Sequence, residues 1–311
     1  MSKDKAKNMD KEYKPAKVWK WKKRKNDILD VMNRPISGAT HEAKLPRGTH
    51  PFQLYSLGSP NGQKVTILFE ELLAAGHAGA EYDAWMIDIM KLEQFGSEFV
   101  AINPNSKIPA LLDCSGRKPV RLFESGAILL YLAEKFGAFL PKDGAARAEC
   151  YSWLMWQMAT APWLGGGFGH FYCMAPVKIE YAINRYAMEA KRIMDVADRH
   201  LAENRYFCGK QYSIADIANF AWLNFFITGD GYGGAKYLDT ASYRHLARWV
   251  DEVGQRKGVR RGLVVNRGRG EGSAVERHSA ADIDAVLRGD NPPPASGRGD
   301  NPRRNCPNRQ A

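Results

Sequence analysis

The 311-residue chain lacks the paired cysteines of thiol-redox enzymes and zinc modules. Its five cysteines are scattered, and no two of them stand at Cys-x-x-Cys or zinc-finger spacing. The seven histidines are dispersed and no His-Glu-x-x-His sequence occurs, so we expect no metal site. An odd number of cysteines without framework spacing is typical of reduced thiols, and it favours a cytoplasmic protein.

Long hydrophobic runs are also missing. No apolar run approaches the roughly 18 residues that a membrane-spanning helix needs. The start of the chain, MSKDKAKNMDKEYKPAKVWKWKKRK, is basic and has no apolar segment of the kind found in secretory signals. We therefore expect neither a membrane span nor a secretory signal.

The net charge of +11 comes mainly from the two ends of the chain. Residues 1–25 carry 11 Lys and Arg against 3 acidic residues, and residues 255–311 carry 12 against 6. Basic ends can bind nucleic acid, and the sequence WKWKK at 19–23 keeps that alternative open. Solvated ends are the commoner meaning of such a distribution, so we expect no nucleic-acid partner.

The hydrophobic pattern divides the chain into five segments. A polar arm, 1–49, precedes a segment, 50–137, whose order β-α-β then β-β-α predicts a mixed sheet with helices against it. A linker, 138–146, leads to an almost wholly helical segment, 147–265. The extension 266–311 is rich in Gly, Arg, Pro and Asn, and we expect its last part to be disordered.

The helical segment contains one strong helix-start signal. In YSIADIANF, Ser213 stands at the N-cap position and Asp216 at the third helical position, which is an acidic variant of the capping box. We interpret Asp216 as structural.

The first candidate for chemistry is the turn Ser59-Pro60-Asn61, between the predicted strand FQLYSL and an amphipathic helix. A helix N-terminus offers unpaired N–H groups and a partial positive charge, which favour an anion such as a thiolate. Ser59 and Asn61 add hydrogen-bond donors. The alternative is that either side chain merely caps the helix.

Two further stretches suit the other parts of a peptide-like ligand. A cis bond at Ile108-Pro109 would present the backbone N–H and C=O of Ile108 for pairing with an extended ligand. Where the next strand gives way to a helix, Glu124 can accept from an ammonium group, and Ser125 can donate to a carboxylate. Each stretch also has an ordinary reading, as a turn or a cap. The three together match glutathione.

These residues lie within motifs that resemble the glutathione transferase superfamily. NPNSKIPAL followed by FESGAILLYLAEKF is similar to its glutathione site, with Pro109 as the cis-proline and Glu124–Ser125 as the γ-glutamyl-binding pair. PAKVWKW, NRPISGATHE and GGGFGHFYCMAPVKIEYAINRY resemble more narrowly the Nu-class bacterial enzymes, relatives of the yeast prion nitrogen regulator. The resemblance covers about 15–266. It implies an α/β thioredoxin-like N-terminal domain with a mixed four-stranded sheet and an all-α C-terminal domain.

The resemblance also implies an activity. Nu-class enzymes act as glutathione-dependent disulfide-bond oxidoreductases and hold two glutathione molecules per site, so the ligands supply both sulfurs. Organic hydroperoxide peroxidase and weak glutathione transferase activities are further expectations, as is a homodimer. The alternative is a noncatalytic glutathione-binding module with a regulatory or interaction role.

Matching positions assign roles to individual residues. Asn33 corresponds to an arm asparagine near the glutathione sulfur, and Gln94 to a glutamine that reaches the glycyl carboxylate. Arg185 would face the second glutathione; its ordinary reading is a solvated helix charge. Residues expected to complete the first glutathione's pocket are Ser59, Pro60, Asn61, Lys107, Ile108, Pro109, Glu124 and Ser125. Residues expected to line the open wall are Gln157, Phe168 and His170.

One tyrosine needs a separate interpretation. In other transferase classes a tyrosine of the first strand activates glutathione. Strand alternation places Tyr55 before the turn and on the opposite face from Leu54 and Ser56. We expect Tyr55 to belong to the core or to the pocket wall.

Overall fold

The computed structural model of the chain describes residues 14–22, 27–268 and 274–289. The expected disorder of the end of the extension concerns residues outside these ranges. The chain forms two compact units, divided after Ser37. The described residues of the first unit include the short helix α1 (Ile28–Met32), whose N-cap residue Asp27 accepts hydrogen bonds from the first-turn N–H groups.

The second unit begins with a four-stranded mixed sheet, as predicted. Its strands are β1 (Phe52–Ser56), β2 (Tyr82–Met86), β3 (Ala110–Asp113) and β4 (Val120–Phe123), in the order β2-β1-β3-β4. β1 pairs with β2 in parallel and with β3 antiparallel, and β4 is antiparallel to β3. Every residue of β1 is buried, because helices cover the sheet and the polar residues of this strand find partners inside.

Helices α2 (Pro60–Ala74), α3 (Ser97–Ile102) and α4 (Ser125–Phe136) flank the sheet. α4 ends at Gly137, whose φ of 62° is the left-handed conformation that glycine adopts readily. α2 is buried on more than its predicted apolar face: a Cβ on Gly262 would lie 2.5 Å from the Ile67 Cα atom. The helix that contains Gly262, far along the sequence, therefore packs directly against the backbone of α2.

The rest of the second unit is mostly helical. It comprises α5 (Gly144–Pro162), a π-helical segment (Trp163–Met174), α6 (Glu180–Glu203), α7 (Ile214–Ile227), α8 (Ala235–Leu238), α9 (Arg244–Gly254) and α10 (Lys257–Gly262). The mixed sheet with its helices, followed by this helical region, is the fold class that the sequence predicts. None of the described helices is long and apolar enough to cross a membrane.

The capping box at the start of α7 is present as predicted. Ser213 accepts from the Ala215 N–H, and the Asp216 carboxylate accepts from the Ser213 N–H. Asp216 also accepts from the Phe207 N–H and from Trp249 Nε1, and burial raises its pKa to about 6. These bonds confirm a structural role for Asp216.

The C-terminal extension contains ordered structure that the sequence does not predict. Arg277 forms a backbone bridge with Ala84, at the outer edge of β2, and α11 (Ala280–Arg288) follows. Arg277 is fully buried, and its guanidinium pairs with Glu70 at 3.0 Å and Glu81 at 2.7 Å. The described part of the extension, 266–268 and 274–289, is therefore packed into the folded core.

The neighbouring His278 provides a pH-dependent contact. It lies 2.8 Å from Asp83, and hydrogen bonds to Glu276 and Asp83 raise its pKa above the usual value. Because the pKa of His278 is higher in the folded state, protonated His278 stabilises the fold. This stabilisation is fully present below the unfolded-state pKa, and it is lost as pH rises through the folded-state pKa. We expect His278→Gln to lower the free energy of unfolding by about 0.5–1 kcal/mol near pH 6.

Thermal unfolding at several pH values tests this expectation. The difference between wild type and His278→Gln should shrink as pH rises to about 8, because the imidazole becomes neutral. The exposed His245→Gln is the control and should show no such trend. A difference that grows with pH would contradict the assignment.

The state of the cysteines differs from expectation at one position. Cys114, Cys150 and Cys208 are free thiols, as expected. Cys173 is disulfide-bonded, so the expectation of reduced thiols is wrong there.

Candidate functional site

The turn after β1 begins the candidate site. Ser59 is the N-cap residue of α2, with an extended backbone (φ −87°, ψ 165°), and Pro60 opens the helix. Proline suits this first position because its missing N–H has no intrahelical partner there. The Ser59 side chain makes no capping hydrogen bond. The alternative reading of Ser59 as a simple side-chain cap is therefore not what the structure contains.

The C-terminal extension holds this turn in place. The Gly58 N–H donates to the backbone oxygen of Asn266 at 2.6 Å, and a Cβ on Gly58 would lie 2.7 Å from the Arg267 Cα atom. Asn266 is buried with a left-handed φ of 54°, and its amide donates to the Val275 oxygen at 2.8 Å. Only glycine allows this close approach beside Ser59.

Asn61 has a fixed side-chain orientation. Its Oδ1 accepts from Lys64 Nζ at 2.9 Å and from Trp222 Nε1 at 2.9 Å. A lysine ammonium and an indole N–H can only donate, so the oxygen of the Asn61 amide must face them. The Nδ2 group is consequently left to donate elsewhere.

Lys64 is the residue of this site that the sequence analysis missed. It has no exposed surface, and its Nζ also donates to Ser125 Oγ at 3.3 Å. Burial lowers the pKa of Lys64 to about 7, and the nearby negative charge of Glu124 partly opposes this shift. The sequence does carry one signal for the burial of Lys64: it lies one helical turn after Asn61 and one turn before Leu68, on the apolar face of α2.

The Glu124–Ser125 pair opens α4 in an unusual conformation. Glu124 is exposed at the N-cap position with φ 69° and ψ 118°, and its side chain makes no capping bond. A glutamate with positive φ costs on the order of 1–3 kcal/mol, and such strain clusters at functional sites. Ser125 is buried. The pair is thus not an ordinary side-chain cap.

The loop before β3 has the predicted cis bond between Ile108 and Pro109. Asn103 shapes the loop: its Nδ2 donates to the Lys107 oxygen at 2.6 Å, and its Oδ1 accepts from the Asn105 N–H at 2.9 Å. Lys107 is exposed and Ile108 is partly buried. The loop therefore presents a cation and a backbone edge at the start of β3.

Strand register brings these stretches to one edge of the sheet. Ala110 pairs with Phe123 on β4 and with Tyr55 on β1. Pro109 comes directly before β3 and Glu124 directly after β4, so both lie at this end of the two paired strands. The turn after β1 reaches the same edge, and Lys64 bonds to side chains from both helix starts.

Tyr55 belongs to the core, as expected. It has no exposed surface, its hydroxyl donates to the Pro46 oxygen at 2.8 Å, and burial raises its pKa to about 12. A phenol in this state does not supply an activating proton acceptor at neutral pH.

Gln94 is a buried amide in the short 3-10 helix Glu93–Phe95. Its Nε2 donates to the Ile89 oxygen at 3.4 Å, and its Oε1 has no hydrogen-bond partner among the described residues. A buried amide atom without a partner is uncommon and leaves bonding capacity for a ligand or water. Its expected contact with the glycyl carboxylate stays a prediction.

Arg185 lies on α6 within an ion-pair cluster. It pairs with Glu189 at 2.7 Å, and its guanidinium carbon is 5.7 Å from the centre of the Trp163 ring. Hydrogen bonds from Arg192 and Arg185 hold the pKa of Glu189 below its usual value. The Arg185 side chain is 41% exposed, so it remains accessible to an anionic ligand.

The three residues expected on the open wall have different surroundings. Phe168 has no exposed surface and stacks on Tyr172, with ring centres 4.8 Å apart, which makes it a core residue rather than part of an open wall. Gln157 is also buried, and neither amide atom has a partner among the described residues. His170 is partly exposed in the π-helical segment. Of the three, His170 is the one that a solvent-filled pocket can contact.

Asn33 belongs to the first compact unit, where it ends α1. Its Nδ2 donates to the Leu29 oxygen at 2.9 Å. Its expected place near the glutathione sulfur stays a prediction.

Comparisons with known proteins agree with this fold. Residues 51–134 match the glutathione S-transferase N-terminal domain family, and residues 180–252 match the corresponding C-terminal domain family. The chain is 57% identical over 277 residues to the disulfide-bond oxidoreductase YghU of Escherichia coli strain K12, covering 88% of this chain and 96% of that protein.

Solved structures give the same result. The glutathione transferase YghU from Streptococcus pneumoniae, complexed with glutathione, is 52% identical with a TM-score of 0.79, covering 81% of this chain and 97% of that one. A Pseudomonas fluorescens family member with two glutathione bound is 39% identical with a TM-score of 0.63, covering 68% and 92%. The chain therefore belongs to the glutathione transferase superfamily.

Proposed function

We propose that the protein reduces disulfides with two bound glutathione molecules as the source of both sulfur atoms. The observation that carries this proposal is the orientation of Asn61, whose Nδ2 is left to donate at the N-terminus of α2. Among the described free thiols, Cys114 follows β3 at its opposite end, and Cys150 and Cys208 contact Ser213 at the start of α7. Cys173, in the π-helical segment, is disulfide-bonded. None of these free thiols lies at this edge, so we assign the sulfur chemistry to the ligands.

The reaction consists of two exchanges. A glutathione thiolate attacks one sulfur of the substrate disulfide, forming a mixed disulfide and releasing the first substrate thiolate. A second glutathione thiolate attacks the glutathione sulfur of the mixed disulfide. Oxidised glutathione and the second substrate thiolate are the products. Two glutathione thiols are oxidised and one disulfide is reduced to two thiols, so the electrons balance.

Each group of residues contributes to this scheme in a different way. Ser59, Asn61 and the N-terminus of α2 stabilise the attacking thiolate, and Asn33 adds a donor from the arm. Ile108 pairs with the peptide part, Glu124 accepts from the γ-glutamyl ammonium, and the remaining contacts come from Pro60, Gln94, Lys107, Pro109 and Ser125. Arg185 attracts the second, anionic glutathione.

Related proteins support the proposal. The Escherichia coli YghU and YfcG proteins are named disulfide-bond oxidoreductases, and several related structures contain one or two glutathione molecules. We extend the proposal to a cytoplasmic homodimer with organic hydroperoxide peroxidase and weak glutathione transferase side activities.

Steady-state reduction of hydroxyethyl disulfide by glutathione tests the proposal. Oxidised glutathione is followed through a coupled reductase, and the uncatalysed rate is subtracted. We expect turnover that rises with glutathione as for two bound molecules. Glutathione binding without turnover would instead favour a noncatalytic glutathione-binding module with a regulatory or interaction role.

Cysteine substitutions separate ligand thiols from protein thiols. We expect alanine variants of the five cysteines, made singly, to keep kcat/KM within about 2-fold of wild type, because no protein thiol takes part in the exchanges. The same disulfide assay measures this. Loss of nearly all turnover in any one variant that still folds would contradict the two-glutathione mechanism.

A further inference from the structure

The buried lysine of α2 has an unusual set of partners. In the described part of the chain, Lys64 forms no ion pair, and its Nζ donates instead to Asn61 Oδ1 and Ser125 Oγ. Burying an ammonium without a counter-ion costs free energy, and an apolar side chain of similar size would fill the same space. Packing alone therefore does not account for a lysine here.

The two acceptors belong to the two helix starts of the candidate site. Asn61 is in the first turn of α2, and Ser125 is the first residue of α4. The oxygen of each is occupied by the ammonium, so each keeps its own hydrogen for another acceptor. For Ser125 the present acceptor is the sulfur of Met158 at 3.6 Å, which a carboxylate would readily replace.

A second donor fixes the same amide from the helical region. Trp222 Nε1 of α7 donates to Asn61 Oδ1, and a Cβ on Gly165 would lie 2.7 Å from the Trp222 ring. The π-helical segment thus holds the indole in position. With two donors on the oxygen, a rotation of the Asn61 amide by 180° would lose both bonds.

We propose that Lys64 is a positioning residue that couples the thiol end of the glutathione site, at Asn61, to the γ-glutamyl end, at Ser125. The inference rests on the proposed function. Lys64 itself is buried and touches no ligand; it acts by occupying the side-chain oxygens of Asn61 and Ser125, so that the Asn61 Nδ2 group and the Ser125 hydroxyl are left to donate to a ligand. Its charge also favours anions bound at both helix starts. Glu124 is the charged group that acts on it, and the lowered pKa makes this charge sensitive to pH near neutrality.

The test compares Lys64→Met with wild type in the disulfide assay. We expect kcat/KM to fall by about 10-fold or more, because the Asn61 amide loses one of its two fixed bonds and the site loses a positive charge. The acidic limb of the pH–rate profile should move to higher pH by about one unit, because the glutathione thiol is then less acidic. Trp222→Phe removes the other donor and keeps the charge, so activity should fall without that shift.

Controls separate positioning from folding. Lys135→Met removes a lysine of the same sheet domain that pairs with Asp113 at 2.9 Å, remote from the helix starts, and should leave both readouts unchanged. Lys64→Gln serves as the second variant if the methionine variant does not fold. A folded Lys64 variant with wild-type kcat/KM would overturn the assignment and leave the proposed function intact.

Two further outcomes are also decisive. A loss of activity with an unshifted pH profile and a lower Tm would make Lys64 a structural residue and overturn the assignment. Wild-type protein that neither binds nor turns over glutathione would overturn the proposed function, and the role of Lys64 with it.

Discussion

Asn61→Asp is expected to lower kcat/KM for glutathione-dependent disulfide reduction by about 100-fold, the loss typical of removing one donor to a developing or bound anion. The aspartate keeps an oxygen that accepts from Lys64 Nζ and Trp222 Nε1, so both of these hydrogen bonds are retained. The outward Nδ2 donor is replaced by a carboxylate oxygen that repels a thiolate. The variant therefore tests the donor and not the packing around it.

Two measurements decide this prediction. Thermal unfolding should show a folded protein with a Tm close to that of wild type, since the new carboxylate faces an ammonium. Asn224→Ala is the matched control, because Asn224 lies on α7 two residues after Trp222 and its side chain accepts from that of Thr228, within the same helix. Near-normal turnover in a folded Asn61→Asp protein would exclude Asn61 from thiolate stabilisation.

Arg277→Met is expected to lower the free energy of unfolding by about 3–5 kcal/mol, the range for removing one partner from a buried ion pair. Arg277 has no exposed surface, and its guanidinium carbon is 4.1 Å from the centre of the Tyr82 ring. Glu70 is also buried and would retain Arg261, at 2.7 Å, as its remaining cation. The methionine would fill the space, but Glu70 would keep one cation instead of two and Glu81 would lose its ion pair with Arg277.

Urea unfolding monitored by tryptophan fluorescence measures this difference. Arg199→Met is the matched control: its ion pair with Asp195 also has a short distance, 2.8 Å, but both side chains are at least half exposed. Exposed pairs contribute about 0–1 kcal/mol, so the control should change stability little. Equal effects from the two substitutions would mean that burial of the Arg277 cluster contributes nothing.

The elements that sequence alone predicts are those with local signals. β1 alternates in side-chain direction, the turn residue Gly137 ends α4, and Ser213 with Asp216 begins α7. Each of these signals lies within a few residues of its effect. The turn at Ser59 and the cis bond at Pro109 are recognised in the same way, from short motifs, and the structure places both at one sheet edge.

The residues that sequence alone does not predict depend on partners far along the chain. A lysine on a helix is normally exposed. Lys64 is buried because α4 and Trp222 approach from later segments. Phe168, expected on the open wall, is instead enclosed by the rings of Tyr172, Phe226 and Tyr237, which come from other parts of the helical region.

Arg277 follows the same rule. It lies in an Arg- and Gly-rich stretch that is typical of solvated chain, and its burial depends on acids contributed by α2 and by the residue before β2. Composition cannot reveal such a partner.

The bond between Gly58 and Asn266 has a consequence for synthesis on the ribosome. The turn that opens the candidate site emerges early, but the residues that hold it, and the Arg277 that pairs with Glu70 across 207 positions of sequence, emerge late. At about 5–20 residues per second, translation leaves an interval of roughly 10 to 40 s between the two. A nascent chain would carry the strand and helix of the site during that interval without a completed pocket. The turn would gain these long-range contacts only when translation is nearly finished.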